Sequence, residues 1–88
     1  MKKLNFKILP VRDIEGKLEP FDFSKTFGNH IFNETFDLAE HELGRKIYFE
    51  GEIVVNEEEL CIIQKYIKNF KVIIRKAFEE MLSEAEEV

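Results

Sequence analysis

Residues 56–81 carry the strongest pattern of this 88-residue chain and read NEEELCIIQKYIKNFKVIIRKAFEEM. Apolar residues recur there at alternating steps of three and four, the spacing of one helix face: Leu60, Ile63, Ile67, Phe70, Ile74, Ala77 and Met81. Asn56 is a good N-cap for this helix, because three glutamates follow it in the positive first turn. The pattern predicts a dominant amphipathic helix over about residues 57–84, either unbroken or kinked near residues 69–71, where helix propensity is lowest.

The N-terminal residues predict a small β-hairpin. Apolar and polar side chains alternate over residues 3–9, as in a half-buried strand, with Leu4, Phe6 and Ile8 on the apolar face. Residues 13–16 (DIEG) are a turn signal, because Asp bonds its own turn and Gly tolerates positive φ. Residues 18–23 then return as a second strand, and Pro20 places that strand at a sheet edge.

Two shorter helices are predicted in the middle of the chain. The first begins at Ser24 or Thr26, both good caps, although Gly28 weakens it by roughly 1 kcal/mol relative to Ala. The second begins after Asp37, in a capping box with Glu40, and Gly51 is suited to end it. Their expected core-facing residues are Phe27, Ile31 and Phe32 in the first helix, and Phe36, Ala39, Leu43 and Ile47 in the second.

Residues 53–55 (IVV) are β-branched throughout and predict a very short strand, which we expect to pair with the N-terminal hairpin. The fold class predicted from these elements is α+β. A small N-terminal hairpin or sheet packs on two to four helices, and residues 1–88 form a single domain.

Composition indicates a globular protein in a reducing compartment. Hydrophobic residues make up 44% and charged residues 35% of the chain, and nine phenylalanines occur without a tryptophan. A single cysteine, Cys61, cannot form an internal disulfide. The apolar run after Met1 is too short for a signal peptide, and no stretch approaches the ~20 apolar residues of a membrane span. We therefore expect a cytoplasmic location and no contact with a membrane.

The net charge of −5 conceals a strong segregation of charge. Residues 37–59 contain eight acids, whereas residues 60–78 contain five bases and no acid: Lys65, Lys68, Lys71, Arg75 and Lys76. A basic stripe along a helix can bind phosphates or an acidic partner. The alternative, which we favour, is a solvated face whose lysines meet the acids of residues 37–59 or of a second copy.

No residue pattern predicts catalysis, a metal site or a cofactor site. His41-Glu42 begins like a zinc-protease motif, but Arg45 stands where the second histidine is required. His30 and Glu34 are four residues apart, and a metal site there would need a third and a fourth ligand, for which His41 and Glu42 are candidates; we favour histidines without a metal. The serines have no nucleophile-elbow context, and the glycines are too scattered to cradle a phosphate. We therefore expect a protein that is not an enzyme, with no catalytic, cofactor-binding or metal-ligating residues.

The order of elements resembles small uncharacterised proteins of tailed phages and integrated prophage-like elements. The resemblance is carried by a turn of the type DIEGK (residues 13–17), a helix end of the type LGRKIY (residues 43–48) and a short strand of the type EIVV (residues 52–55). That group places prolines before the last helical turns, where this chain has residues 69–71 (NFK). The resemblance implies a phage or mobile-element origin and assigns no activity and no functional residue.

The predicted function is protein–protein interaction or assembly through the C-terminal helix. More apolar residues flank its seam than one helix of a small domain can bury, and this predicts a homodimer, with Ile62, Tyr66, Ile73 and Phe78 as self-association residues. The breadth of this apolar face favours a globular core over a narrow two-stranded coiled coil. The alternative function is a nucleic-acid-associated regulator that uses the basic outer face of that helix. A variant of the first hypothesis is an acidic nucleic-acid mimic that uses the carboxylates of residues 37–59.

Overall fold

The computed structural model describes all 88 residues and has the predicted α+β class. Its strands are β1 (Lys2–Asn5), β2 (Leu9–Arg12), β3 (Leu18–Phe21), β4 (Glu52–Val55) and β5 (Glu86–Glu87). Its helices are α1 (Ser24–Glu34), α2 (Leu38–Glu50), α3 (Glu57–Ile67) and α4 (Val72–Ser83). The strands form two antiparallel sheets, one with the order β4-β1-β5 and the other a β2–β3 hairpin.

The predicted N-terminal strand is interrupted by a 3₁₀ turn over Phe6–Ile8. Phe6 belongs to neither sheet: its N–H donates to the Gly51 carbonyl (2.9 Å), and its own carbonyl accepts from the Phe23 N–H (2.8 Å). The alternation of side chains is lost there, so Ile8 is 60% exposed and Leu9 is buried instead. The prediction of a single strand with Ile8 on its buried face was therefore wrong, because these distant backbone partners draw the chain out of the strand.

The hairpin itself is confirmed, with β2 as its first strand. The register runs from Leu9 opposite Phe21 to Arg12 opposite Leu18. The Asp13 carboxylate accepts from two backbone N–H groups of the turn, and Gly16 adopts a φ of 83°. These are the two features that the turn signal at residues 13–16 predicts.

Strand β4 is confirmed, and it pairs with β1, which is the first part of the predicted N-terminal strand, and not with the β2–β3 part of the hairpin. Its register places Val55 opposite Lys2 and Glu52 opposite Asn5. The short strand β5, which no pattern predicted, adds to the other edge of β1 and places Glu87 opposite Lys2. The chain termini thus lie together on the three-stranded sheet.

Helices α1 and α2 form an antiparallel hairpin with glycines at their contact. A Cβ on Gly28 would lie 2.6 Å from the Gly44 carbonyl oxygen, so the two backbones touch at this point. Asp37 caps α2 as predicted, and Gly51 ends it with a φ of 72°, but the predicted capping box does not form, because the Glu40 carboxylate accepts from Thr35, Lys65 and Tyr66 instead of the Asp37 N–H. Neither predicted cap of α1 acts as one. Instead, the Asp22 carboxylate accepts from the backbone N–H and hydroxyl of Ser24.

The C-terminal segment consists of two helices and not of one dominant helix. Asn56 and Glu59 form the predicted capping box of α3, but the chain leaves the helix at residues 68–71, where the kink was expected. The break places the Phe70 ring against Phe23 (4.9 Å between ring centroids) and Phe27 (5.7 Å). Helix α4 then turns back and packs on β2.

A core of fifteen buried apolar residues joins the four helices with β1, β2 and β4, whereas the residues of β3 and β5 are exposed. Phe6 lies within it, with its ring 5.4 Å from that of Phe27 and 6.3 Å from that of Phe78. The apolar seam of residues 60–81 contributes buried and half-buried side chains to this core, so its core-facing direction is confirmed. No helix of the structure is both long enough and apolar enough to cross a membrane.

Candidate functional site

The predicted basic stripe divides into groups with different environments. The Lys65 ammonium bonds the Glu40 carboxylate of α2 at 2.6 Å, so this lysine joins two helices of the same chain. Lys71 is the N-cap residue of α4 and makes no side-chain cap bond. The other three bases lie together along one groove: Lys68, Arg75 and Lys76.

This basic groove lies between α3 and α4 and has a volume of about 500 Å³. Its lining is apolar between the cations: Ile67, Val72, Phe78 and Leu82. Glu79 is the one acidic residue in the lining, and no carboxylate lies within ion-pair distance of Lys68, Arg75 or Lys76. The Arg75 Nε is buried and has no hydrogen-bond partner. The groove therefore combines apolar surface with unneutralised positive charge.

The predicted self-association residues do not form one exposed surface. Tyr66 and Phe78 belong to the buried core, where the break between α3 and α4 places them. Ile62 is half-buried against that core, whereas Ile73 is exposed in a separate groove between α4 and the β2–β3 turn. Tyr66 and Phe78 are therefore not available to a second copy, because two short helices fold onto the rest of the chain and bury what one long helix would have left exposed.

Two strongly exposed large apolar residues lie instead close together at the turn between α1 and α2. The side chain of Phe36 is fully exposed (107%) and that of Leu38 is 76% exposed. We call these two residues the apolar tip. Phe36 was predicted to face the core together with Ala39, and both are exposed. Phe36 precedes the N-cap Asp37, and a residue before the cap lies outside the helix, so the spacing of a helix face does not apply to it.

The apolar tip is held on a turn rich in hydrogen bonds. The Asp37 carboxylate accepts from the backbone N–H groups of Ala39 (2.8 Å) and Glu40 (3.1 Å), and the Asp37 N–H donates to the Thr35 hydroxyl oxygen (2.9 Å). The Thr35 hydroxyl in turn donates to the Glu40 carboxylate (2.8 Å). The residues on both sides of Phe36 in the sequence are therefore held in place by hydrogen bonds.

Glu40 anchors this turn to α3. Its carboxylate accepts from the Lys65 ammonium and from the Tyr66 hydroxyl (2.7 Å), as well as from Thr35. These bonds, the one from Lys65 foremost, lower the pKa of Glu40 to about 2. Burial, together with the bond to Glu40, raises the pKa of Tyr66, and the bond to Glu40 raises that of Lys65. Glu40 thus stays ionised at neutral pH, so the cluster is suited to hold structure and not to exchange protons.

Acidic side chains surround the apolar tip. Glu34, Asp37 and Glu42 lie within six residues of Phe36 in sequence, and no Lys or Arg occurs between positions 26 and 44. None of the three carboxylates is within 4 Å of a lysine or arginine; Glu42 only approaches His41, at 3.9 Å. The tip therefore presents apolar surface rimmed by negative charge.

The histidines make local contacts. The Nε2 atom of His30 lies 3.1 Å from the Nδ2 atom of Asn69, and the His41 ring lies over the Phe32 ring at 3.8 Å between centroids. The structure contains no group of three or more His, Cys, Asp or Glu side chains that could hold a metal ion.

Searches of protein-family models, curated proteins and solved structures found no match to this chain, so the resemblance to small phage proteins stays a prediction.

Proposed function

We propose that this chain is a non-enzymatic protein–protein interaction protein that binds its partner through the apolar tip. The observation that carries the proposal is the complete exposure of Phe36 on a turn fixed by hydrogen bonds. A phage or mobile-element origin, which the sequence resemblance implies, would be compatible with a role in assembly.

The exposure of Phe36 has no benefit for folding. An aromatic side chain gains about 1.5–3 kcal/mol when it is transferred fully from water to an apolar environment, and Phe36 obtains none of this in the folded chain. Leu38 beside it leaves most of its own transfer energy unused. A partner that covers both residues recovers it, as interface anchors do.

The rigidity of the turn also supports binding. Association costs roughly 0.5–1.5 kcal/mol for each side chain that must be ordered, and flexible loops add to this cost. The bonds of Thr35, Asp37 and Glu40 order the backbone on both sides of Phe36 before any partner arrives. The tip is therefore preorganised for docking.

The charges around the tip indicate the chemistry of the partner. Because Glu34, Asp37 and Glu42 have no lysine or arginine within 4 Å, an acidic surface would be repelled by the tip. The complementary surface is an apolar depression rimmed by lysine or arginine.

The test uses affinity capture from cells of the source organism with three tagged proteins: the wild type, Phe36→Asp and Ile14→Asp. Ile14 is a matched control, because it is also fully exposed (103%) on a turn but belongs to the β2–β3 hairpin. We expect the wild type and Ile14→Asp to retain a protein that Phe36→Asp does not retain. Untagged copies of this chain count as such a protein. Identical retention by all three proteins would contradict it.

A second candidate function, nucleic-acid binding, is favoured by one observation. Lys68, Lys71, Arg75 and Lys76 lie close together in sequence around the α3–α4 break and have no acidic partner within 4 Å. The net charge of −5 opposes this function, because nucleic-acid affinity depends on excess positive charge. Anisotropy titrations of labelled DNA and RNA test it. Binding that weakens steeply with salt and is lost in the double variant Lys68→Glu, Arg75→Glu supports the function, and no binding at low salt removes it.

A further inference from the structure

We propose that the partner of the apolar tip is a second copy of this chain, whose basic groove receives Phe36 and Leu38. This inference rests on the proposed function, since it names the partner of the same tip. The two surfaces required for such a dimer are both present on each chain, and each is complementary to the other in polarity and in sign of charge.

The groove offers apolar side chains with which the exposed tip can make contact. Its volume of about 500 Å³ is within the range of roughly 300–1,000 Å³ typical of sites that enclose a small organic group. One aromatic and one aliphatic side chain together are a group of that size. The accessible apolar lining beside the cations is provided by Val72, which is exposed, and Leu82, which is half-buried, so Phe36 and Leu38 would meet aliphatic side chains.

The charges of the two surfaces match. Glu34, Asp37 and Glu42 surround the tip, and Lys68, Arg75 and Lys76 line the groove. None of these six side chains has an oppositely charged Lys, Arg, Asp or Glu partner within its own chain.

The tip and the groove are neighbours on the same chain. Lys65 of α3 bonds Glu40 near the tip, and Lys68 of the groove lies one helical turn further along α3. In a dimer with two-fold symmetry, both contacts can form at once, because each chain places its tip in the groove of the other copy. The dimer is then closed, because no tip or groove is left free.

The area of contact favours the double arrangement. A buried Phe and Leu remove about 300–400 Å² of tip surface from water, since aromatic side chains alone bury about 150–250 Å². One contact of this kind is smaller than the roughly 1,200 Å² of a specific interface, and a dimer with both contacts buries twice the area of a single contact.

Sedimentation velocity over 1–200 µM, near pH 7, tests the inference on the full chain. We expect a dimer for the wild type and for the control Ile14→Asp. The tip variant Phe36→Asp and the groove variant Lys68→Glu, Lys76→Glu should each raise the dissociation constant by about 30-fold or more, as the loss of an interface anchor does. The exchanged side chains are all exposed, so far-ultraviolet circular dichroism should show an unchanged fold.

Mixing the two variants provides the decisive measurement. A tip variant still has its groove, and a groove variant still has its tip, so the mixture can form a heterodimer with one intact contact. We expect this heterodimer to be weaker than the wild-type dimer, because it has one contact instead of two, but to form at the upper end of the concentration range, where either variant alone is monomeric. A mixture that at 200 µM associates no more than either variant alone overturns the inference.

Three other results overturn the second copy as partner. They are a wild type that is monomeric at 200 µM, a dimer that both variants leave unchanged, and a monomer whose groove binds nucleic acid instead. None of these decides the proposed function, because loss of a different captured protein by Phe36→Asp would still support binding through the tip.

Discussion

The contact between Gly28 and Gly44 determines how closely α1 and α2 approach each other, and Gly28→Ala tests it. A Cβ at position 28 would lie 2.6 Å from both the Gly44 carbonyl oxygen and the Tyr48 backbone nitrogen. These are backbone atoms of the facing helix, so no side-chain rotation relieves the overlap. The two helices must separate, or one must shift along the other.

The magnitude follows from two opposing effects. An exposed Gly→Ala change within a helix stabilises it by about 1 kcal/mol. Here the contact must open from 2.6 Å to about 3.4 Å, and a gap of roughly 0.8 Å forfeits a quarter to a half of the dispersion energy of the atoms beside it. Overpacking of this kind costs about 1–3 kcal/mol, so the net change is a loss of up to about 2 kcal/mol. For a domain of this size, that lowers Tm by up to about 15 °C.

Thermal denaturation followed by circular dichroism measures this shift. Thr26→Ala is the matched control, because this exposed position of α1 also gains helix propensity and meets no facing helix, so its Tm should rise slightly. Gly44→Ala should have a smaller effect than Gly28→Ala, since its shortest Cβ contact is 2.9 Å. A Tm that rises in Gly28→Ala as it does in Thr26→Ala would refute the close approach of the two helices.

Three further predictions concern the anchor, the cap and the core. Glu40→Gln should lower the free energy of unfolding by about 1–3 kcal/mol at pH 7, because it removes a charged acceptor of three hydrogen bonds. Since the folded-state pKa of Glu40 is about 2 and its ordinary value is 4.5, this advantage of the wild type is complete above pH 4.5 and disappears as the pH falls toward 2; a difference that does not depend on pH in urea titrations would contradict the anchor. Asn56→Ala should cost about 1 kcal/mol through loss of the capping box, and an unchanged urea midpoint would show that α3 does not need it. At a concentration where the chain is monomeric, Phe78→Ala should cost about 3–5 kcal/mol, whereas Phe36→Ala should change stability by less than about 0.5 kcal/mol, and equal losses would contradict the assigned burial of the two rings.

Local signals predicted the caps and turns correctly where the required partner is nearby in sequence. Asp37, Asn56 and Gly51 act at the helix ends expected of them, and the turn at residues 13–16 forms as its residues indicate. Each of these features depends on hydrogen bonds or backbone angles within a few residues. The sequence therefore contains all the information needed to predict them.

The candidate site was predicted only in part. Three of the five bases of the stripe do lie along one groove, but Lys65 is bonded to Glu40 twenty-five residues away, and no local pattern indicates that bond. Phe36 was assigned to the core because a helix periodicity was extended one residue beyond the cap. The same neglect of the helix boundary hid the most exposed aromatic residue of the chain.

The sequence by itself determined the α+β class, the N-caps of α2 and α3, the hairpin turn and the segregation of charge, since these follow from residue type and short-range spacing. Only the tertiary structure decided that the strand ends at Asn5 and that the last helix divides at residues 68–71. The physical reason is the same in both cases. Contacts with residues distant in sequence stabilise the chain more than continuation of the strand or helix would. The backbone of Phe6 forms hydrogen bonds with the backbones of Gly51 and Phe23. The ring of Phe70 packs against the rings of Phe23 and Phe27. These long-range contacts bury the seam inside the chain and leave the tip of the α1–α2 turn as its exposed apolar feature.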